Sequence, residues 1–265
     1  MMAVQNIVLI GSGRVATQLG KRLAEKGKFI VQVYSRTQAH AAQLAGQLGS
    51  EPIHDPEKIR HDADLYIISV SDDAIPEIAA KLRFEGKPVA HTSGSVPMDA
   101  VSAISANYGV FYPLQTFVKN RDVDFNDIPL CIEGADPETE NLLTGLAYEI
   151  SNDVRIINSE QRLKIHIAAV FASNFTNFMY LMGEDVLKNA GVEFDILLPL
   201  IRETAAKMNS AMPHEAQTGP AMRGDEKVIR KHLKMLAGDP EKQAIYRQLS
   251  GHITTYFASQ KKRKA

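Results

Sequence analysis

A glycine-rich turn near the start of the chain constrains the fold more than any other feature. The apolar run Asn6–Ile10 leads directly into Gly11-Ser12-Gly13-Arg14-Val15-Ala16, which fits the pattern G-x-G-x-x-G/A. The segment Arg14–Lys26 then carries apolar residues at helical spacing. A strand, a glycine turn and a helix N-terminus in this order are typical of the dinucleotide-binding turn of α/β proteins. A plain structural turn in a sheet of the same type is the alternative.

Each glycine of the turn has a separate physical role. Gly11 permits the tight turn, Gly13 lets the backbone approach a pyrophosphate, and the small Ala16 allows close packing of helix on strand. The helix N-terminus offers unpaired N–H groups and a partial positive charge to the phosphates. We therefore expect the backbone at Gly11 and Gly13, together with the start of the following helix, to hold a pyrophosphate.

Strand and helix patterns alternate over the first half of the chain. Buried strands are predicted at Asn6–Ile10, Phe29–Tyr34, Asp64–Val70, Pro88–Thr92, Gly109–Tyr112, Leu130–Glu133 and Val154–Ile157, with helices between most of them. Repeated β-α-β units imply a parallel, right-handed, doubly wound Rossmann sheet of the α/β class.

The second half of the chain changes character. From Ser159 onward the patterns indicate helices alone, beginning with one long helix, Ser159–Asn189, with Ser159 as its N-cap. We expect residues 1–158 to form a Rossmann domain, and residues 159–265 to form an all-α domain.

Composition excludes several classes of protein. The 265 residues carry 30 Lys and Arg against 31 Asp and Glu, a balance that argues against binding nucleic acid through many phosphates. The single cysteine excludes a disulfide framework and a multi-cysteine metal site, and we expect no metal. No signal peptide is visible, and the apolar stretch Ile165–Met182 is interrupted by His166, Asn174 and Asn177. A cytoplasmic protein that binds no membrane is expected.

The end of the second predicted strand indicates which cofactor binds. NAD-binding proteins usually place a carboxylate there for the ribose 2′-hydroxyl, whereas this chain reads Ser35-Arg36-Thr37 and has no carboxylate before Glu51. Hydroxyls and a planar cation suit a 2′-phosphate, so the sequence favours NADP. An ordinary solvated Arg36 is the alternative.

Three loops follow the carboxyl ends of predicted strands, where ligands of such sheets bind. Val70 and Ser71 should lie beside the cofactor, and the next loop, residues 91–95, offers His91 and Ser93. Gln115 follows a third strand. A structural role is the alternative for His91.

The long helix carries polar residues among apolar ones. His166 and Asn174 are eight residues apart, about two turns, and lie on the same broad side. Buried polar groups need partners, which a substrate, the sheet domain or a second subunit could supply. In the later loop 218–225, Arg223 could hold a carboxylate, or else pair with Asp225 at the surface.

Six motifs in order carry a resemblance to a known family. GSGRVA, DLYIISVSDDAI, HTSGS, FYPLQTF, AAVFASNF and TGPAMRGD together resemble NADP oxidoreductases that join a Rossmann-like domain to a small helical domain of unknown function. The family is more distantly similar to deazaflavin-dependent NADP oxidoreductases, pyrroline-5-carboxylate reductases, alternative ketopantoate reductases and the 6-phosphogluconate dehydrogenase superfamily.

The resemblance assigns roles to the candidate residues. It implies cofactor contacts at Gly11, Ser12, Gly13, Arg14 and Val15, and a 2′-phosphate site at Ser35, Arg36 and Thr37. The implied nicotinamide and substrate site includes His91, Ser93, Gln115, His166 and Asn174. Residues 1–158 would be the NADP-binding domain, and residues 159–265 the domain for substrate binding and dimerisation. A homodimer formed through the helical domain is also implied, with residues 218–225 completing the partner's site. The motif before Pro-Leu-Gln departs from many members, which have His where this chain has Tyr112.

The leading hypothesis is an NADPH-dependent oxidoreductase that reduces a small polar carbonyl or imine, with a 2-oxo acid such as ketopantoate as the expected substrate. His166 or His91 would donate the proton, Asn174 and Gln115 would orient the carbonyl, and Arg223 or the hydroxyls would bind a carboxylate. A non-catalytic NADP-binding sensor and electron transfer between a deazaflavin and NADP are the alternatives.

Overall fold

The computed structural model describes residues 4–118, 121 and 123–264, and the side chains up to residue 260. The chain divides into two compact units, Met1–Phe175 and Thr176–Ala265. The domain boundary predicted near residue 158, where the sequence changes from α/β to helical patterns, stays a prediction.

The first unit contains all strands of the described chain. They are β1 (Asn6–Ile10), β2 (Phe29–Tyr34), β3 (Glu51–Ile53), β4 (Leu65–Ile68), β5 (Val89–His91), β6 (Tyr108–Pro113), β7 (Leu130–Gly134) and β8 (Val154–Ile156). Its helices are α1 (Arg14–Glu25), α2 (Gln38–Leu48), α3 (Ile75–Lys81), α4 (Pro137–Ile150) and α5 (Ser159–Ala169), after which Val170–Phe175 continue as a π-helix.

The strands form one eight-stranded sheet in the order β3-β2-β1-β4-β5-β6-β7-β8. The first six strands pair in parallel, which confirms the predicted Rossmann-like α/β fold. β7 is antiparallel to β6, with Val110 opposite Glu133 and Tyr112 opposite Cys131. No α-helix lies between these two strands in the described residues, so the chain has no crossover there and reverses direction. β8 pairs in parallel with β7.

Side chains of β1 alternate between two cores. Ile7 and Leu9 belong to a cluster that α1, α2 and α4 cover, whereas Val8 and Ile10 belong to a second cluster on the other face with α3. Both faces of the sheet are therefore buried, as expected for a doubly wound fold.

Some details of the first unit differ from the prediction. The edge strand β3 is only three residues long and contains Pro52, so it shows no alternating pattern to detect. The N-cap of α5 is Asn158 rather than Ser159, because Asn158 and Gln161 form a capping box. The hydroxyl of Ser159 donates instead to the Glu133 carboxylate, over 2.8 Å.

The second unit contains helices and no strand among its described residues. Its helices are α6 (Thr176–Lys188), α7 (Leu198–Ala206), α8 (Pro213–Ala216), α9 (Pro220–Arg223), α10 (Glu226–Met235) and α11 (Pro240–Lys264). The short helices α8 and α9 lie between Met212 and Gly224, where the Pro- and Gly-containing sequence predicts a loop. Among its described side chains only Ala221 and Ser250 are buried.

Large apolar side chains of this unit are exposed in the single chain, among them Phe178, Leu181, Val186, Ile196 and Leu200. By length and composition alone, the continuous helix Ser159–Lys188 could cross a membrane, and none of the apolar window that meets this test is buried. One helix of this kind also occurs in proteins that enter no membrane, so it is weak evidence for a span.

Candidate active site

A cleft of about 530 Å³ opens along the carboxyl ends of the parallel strands. Twelve of the predicted site residues line it: Gly11, Ser12, Gly13, Arg14, Val15, Ser35, Arg36, Val70, Ser71, Ser93, Gln115 and His166. Ligands of open α/β sheets bind at this edge. The cleft thus gathers predicted residues that lie up to 155 positions apart in the chain.

The glycine turn has the geometry that a dinucleotide requires. Gly11 has φ +124°, and a Cβ added there would lie 2.1 Å from the carbonyl oxygen of Ser69. A Cβ added at Gly13 would meet nothing within 4 Å, so the space beside this backbone is open. No side chain caps α1, and its first turn holds no acidic residue. The N–H groups at this helix end are therefore suited to bind a pyrophosphate.

Charged side chains gather at the end of the cleft beside β2. Arg36 Nη1 lies 3.8 Å from Glu77 Oε2, and Lys81 Nζ lies 2.7 Å from Glu77 Oε1. Ser12 donates a hydrogen bond of 2.9 Å to Ser35, which ties the glycine turn to the end of β2. Thr37, by contrast, precedes α2 and does not line the cleft.

Tyr112 and His166 meet where the cleft ends. The Tyr112 hydroxyl and His166 Nδ1 are 3.3 Å apart, and Gly94 lies against both. A Cβ at Gly94 would lie 2.7 Å from His166 Nδ1 and 2.9 Å from the Tyr112 hydroxyl, so a side chain there would disturb the pair. Burial raises the pKa of Tyr112 to about 12, which keeps the phenol protonated and able to donate.

A second cavity, of about 600 Å³, shares Tyr112, Gln115 and His166 with the cleft. It also contains Asn174, so the structure brings His166 and Asn174 to one cavity, where the sequence predicts them. The two hydroxyls of Thr116 and Ser173 lie 2.9 Å apart on its wall.

A π-helix spans the part of the long helix that lines this second cavity. The wide turn Val170–Phe175 includes Ser173 and Asn174, whereas the sequence predicts an ordinary α-helix there. π-Helical turns are frequent at functional sites because the extra residue redirects the neighbouring side chains.

His91 lies beneath the cleft and does not line it. It is fully buried, its Nε2 lies 3.2 Å from the carbonyl oxygen of Pro97, and its Nδ1 accepts from the backbone N–H of Ser93. Desolvation lowers the pKa of His91 to about 4, and the nearby Arg162 contributes to the shift. A neutral imidazole with the proton on Nε2 satisfies both contacts.

Arg162 fastens the start of α5 to the sheet. This side chain is 1% exposed and pairs with Glu133 of β7. It also donates to the carbonyl oxygen of Val96, over 2.6 Å, and to the Ser159 hydroxyl, over 3.1 Å. His166 follows Arg162 by one helical turn, so the buried pair positions His166.

Arg223 lies at the end of α9, in the second unit, and its side chain is exposed. Reasoning from the sequence missed Tyr34, Glu77 and Lys81 as cleft residues, and took Tyr112 only as a departure from the family. The i,i+4 spacing of Glu77 and Lys81 after a strand end was the available signal. Among the described side chains no cluster of three or more His, Cys, Asp or Glu could hold a metal ion.

Two family models match the chain. Residues 6–93 match the model described as NADP oxidoreductase, coenzyme F420-dependent, and residues 128–253 match a domain of unknown function (DUF2520). No curated protein matches the sequence significantly.

Several solved structures are similar over nearly the whole chain. A Bacteroides fragilis protein described as a putative NADP oxidoreductase is 45% identical, with a TM-score of 0.87, over 95% of this chain and 98% of that one. A reductive aminase from Aspergillus terreus in complex with NADPH is 16% identical, with a TM-score of 0.62, over 94% and 88%. A 1-pyrroline-5-carboxylate reductase from Streptococcus pyogenes is 14% identical, with a TM-score of 0.61, over 94% and 98%. The last two show similarity of fold.

Proposed function

Because the chain belongs to the family of NADP oxidoreductases that join a Rossmann-like domain to a helical domain of unknown function, we propose that it reduces a small polar carbonyl or imine with NADPH. The contact between Tyr112 and His166, at the point where the cofactor cleft meets the second cavity, carries this proposal. A 2-oxo acid such as ketopantoate is the proposed substrate class.

The residues of the cleft fit the cofactor. The open backbone at Gly13 and the uncapped start of α1 would hold the pyrophosphate. Ser35, Arg36 and Thr37 would hold the 2′-phosphate, and Val70 and Ser71 the ribose and nicotinamide end. Bound NADPH supplies the hydride, so the protein has to orient the substrate and deliver a proton.

His166 is the proposed proton donor. As imidazolium, it gives a proton to the oxygen or nitrogen of the reacting group while the carbon of that group receives the hydride. Tyr112 holds the ring through Nδ1, which leaves Nε2 for the substrate. A protonated phenol can donate to the neutral imidazole and accept from the imidazolium, so it supports both states. The burial and the paired nitrogens of His91 favour a structural role for that residue.

Asn174 and Gln115 would orient the carbonyl from the second cavity, and Ser93 would support the substrate from the loop after β5. The described lining of the second cavity includes hydroxyls, amides and the imidazole but no Lys or Arg. Arg223 is proposed as the ligand for a substrate carboxylate from the sequence alone.

We further propose that the chain forms a homodimer through its helical unit. No residue of α6 is buried, and Phe178, Leu181 and Val186 are each more than a third exposed. An apolar helix face of this kind is stable in water only when another surface covers it. A second copy supplies a matching apolar face by symmetry. Light scattering should report a dimer for the wild type and a monomer for Leu181→Glu.

Electron transfer between a deazaflavin and NADP is the second candidate, because the model matching residues 6–93 is described as coenzyme F420-dependent. Oxidation of the reduced deazaflavin by NADP, with no turnover of carbonyls or imines, would favour it over the leading proposal.

The decisive experiment measures NADPH oxidation with a panel of 2-oxo acids, ketopantoate first, and cyclic imines, guided by thermal shifts in the presence of NADPH. With an accepted substrate, His166→Ala should lower the rate of single-turnover hydride transfer about 10²–10⁴-fold. Tyr112→Phe should cost less, and both variants should bind NADPH as the wild type does. Unchanged hydride transfer in His166→Ala would contradict the assigned role.

A further inference from the structure

The cluster of charged side chains beside β2 contains two residues, Glu77 and Lys81, beyond those predicted to bind a 2′-phosphate. Arg36 follows β2 and Lys81 ends α3, yet both cations approach the same carboxylate, Glu77. Arg36, Glu77, Lys81 and Ser35 all line the cleft. Two cations from separate elements thus converge on one position, and an acidic side chain of the protein occupies it.

The electrostatics explain why an anion belongs there. Two cations held close together repel each other, and one carboxylate offsets only part of their charge. The hydrogen bond and charge of Lys81, followed by the charge of Arg36, hold the pKa of Glu77 below its ordinary value, so the carboxylate stays ionised. A phosphate monoester carries about −1.5 to −2 charges at pH 7 and three acceptor oxygens, so it matches two cations better.

The contacts of Glu77 are weak enough to exchange. Its side chain is 49% exposed, and those of Arg36 and Lys81 are 70% and 53% exposed. Exposed ion pairs contribute little to stability and are screened by salt. The 3.8 Å approach of Arg36 to Glu77 is also too long for a hydrogen bond. Glu77 can therefore leave the two cations without burying its own charge.

We propose that Glu77 is an internal counter-anion of the 2′-phosphate site, that Lys81 is the second cation of that site, and that the 2′-phosphate of NADPH displaces the carboxylate when it binds. A ribose 2′-hydroxyl carries no charge and gains nothing from the two cations. The exchange therefore acts on NADPH and not on NADH. The inference rests on the proposed assignment of Arg36 to the 2′-phosphate.

Calorimetric titration of NADPH and NADH into the full-length protein tests the exchange without a substrate. Glu77→Gln removes the competing carboxylate and should tighten NADPH binding about five-fold. Lys81→Met removes a charge-assisted contact and should weaken it about ten-fold. NADH binding should stay within two-fold of wild type in both variants, an allowance of about 0.4 kcal/mol. In the Lys81→Met background the gain from Glu77→Gln should shrink, because the two residues act on one site.

Glu160 and Lys164 provide a matched control, since they form an exposed i,i+4 pair in α5 and line neither cavity. Glu160→Gln and Lys164→Met should leave both affinities unchanged. The proposal is overturned if Glu77→Gln leaves NADPH affinity unchanged or weakens it, or if NADH affinity changes equally. Arg36→Met distinguishes failure of the exchange from failure of the 2′-phosphate assignment. If Arg36→Met leaves NADPH affinity unaltered, the assignment of Arg36 to the 2′-phosphate fails, whatever the result for Glu77→Gln.

Discussion

The two units of the chain differ in how far their apolar side chains are buried. In the first unit, β1 contributes four fully buried side chains, Ile7–Ile10, to two cores on opposite faces of one sheet. In the second unit, Ala221 and Ser250 are the only buried residues among the described side chains, whereas Ile196 and Leu200 are more than 60% exposed. The first unit completes its core within one chain, and the second does not.

This difference separates two sources of stability. Burial of apolar surface stabilises the folded first unit whatever the protein concentration. An apolar helix face left uncovered stabilises nothing until another surface covers it. The stability of the second unit should therefore depend on protein concentration, as it does in proteins whose subunits complete each other.

The largest expected effect comes from a buried ion pair of the first unit. Arg162→Met leaves the Glu133 carboxylate without its guanidinium partner, and should lower the free energy of unfolding by roughly 3–5 kcal/mol. Lys242 of the second unit pairs with Asp185 and Asp239 but is more exposed, and Lys242→Met should cost less than about 1 kcal/mol. Urea denaturation measures both. Equal costs would remove the contrast between the units.

Apolar truncation should show the same contrast. Leu65 of β4 is fully buried, and Leu65→Ala should cost roughly 2–5 kcal/mol at every protein concentration. Leu200 of α7 is 62% exposed, and Leu200→Ala should cost less than about 0.5 kcal/mol in dilute protein. A cost for Leu200→Ala that grows with concentration would show that assembly covers this residue.

The buried imidazole of His91 should make the first unit sensitive to acid. Its pKa is about 4 in the folded protein against an ordinary value of about 6.5 in the unfolded chain. Between these values the unfolded chain binds more protons, so the free energy of unfolding falls as the pH falls from 6.5 to 4, by up to about 3 kcal/mol. His91→Gln should flatten this part of the profile, and a slope equal to that of the wild type would contradict the assignment.

The smallest expected effect concerns glycines. Gly94 has the Tyr112–His166 pair where a Cβ would lie, and Gly94→Ala should destabilise the protein by roughly 1–3 kcal/mol and reduce hydride transfer. Gly238, in the second unit, has open space at its Cβ and no positive φ, so Gly238→Ala should change stability by less than about 0.5 kcal/mol. A loss of stability in Gly94→Ala without a loss of hydride transfer would argue against a role for the pair.

Much of the first unit was predictable from the sequence because local pattern and burial agree there. β1 and β2 begin and end at the predicted residues, since each is a single buried run between clear turn signals. β3 was missed because three residues at a sheet edge, one of them proline, leave no periodic trace. The antiparallel direction of β7 was missed because the pattern of apolar residues within a strand does not reveal the direction in which the strand runs.

The candidate site was predictable where motifs follow strand ends, as at Gly11 and Ser35. His91 shows the limit of that reasoning, because its position at the end of β5 does not reveal that its ring points into the protein. Glu77 and Lys81 were missed because their importance comes from meeting Arg36 across two elements. The π-helix was missed because its apolar and polar residues also suit an α-helix.

The antiparallel pairing of β7 with β6 fixes where α5 lies along the candidate active site. Glu133 lies opposite Val110 on β6, and Tyr112 is two residues further along that strand, a distance of about 6.6 Å. Arg162, which holds Glu133, and His166, which meets Tyr112, are four residues apart on α5, about 6 Å. The two contacts of α5 are therefore separated by nearly the same distance along the strand and along the helix. Moving α5 along its axis by one turn would break both contacts, so the fold sets the position of His166, the proposed proton donor, to within a single turn.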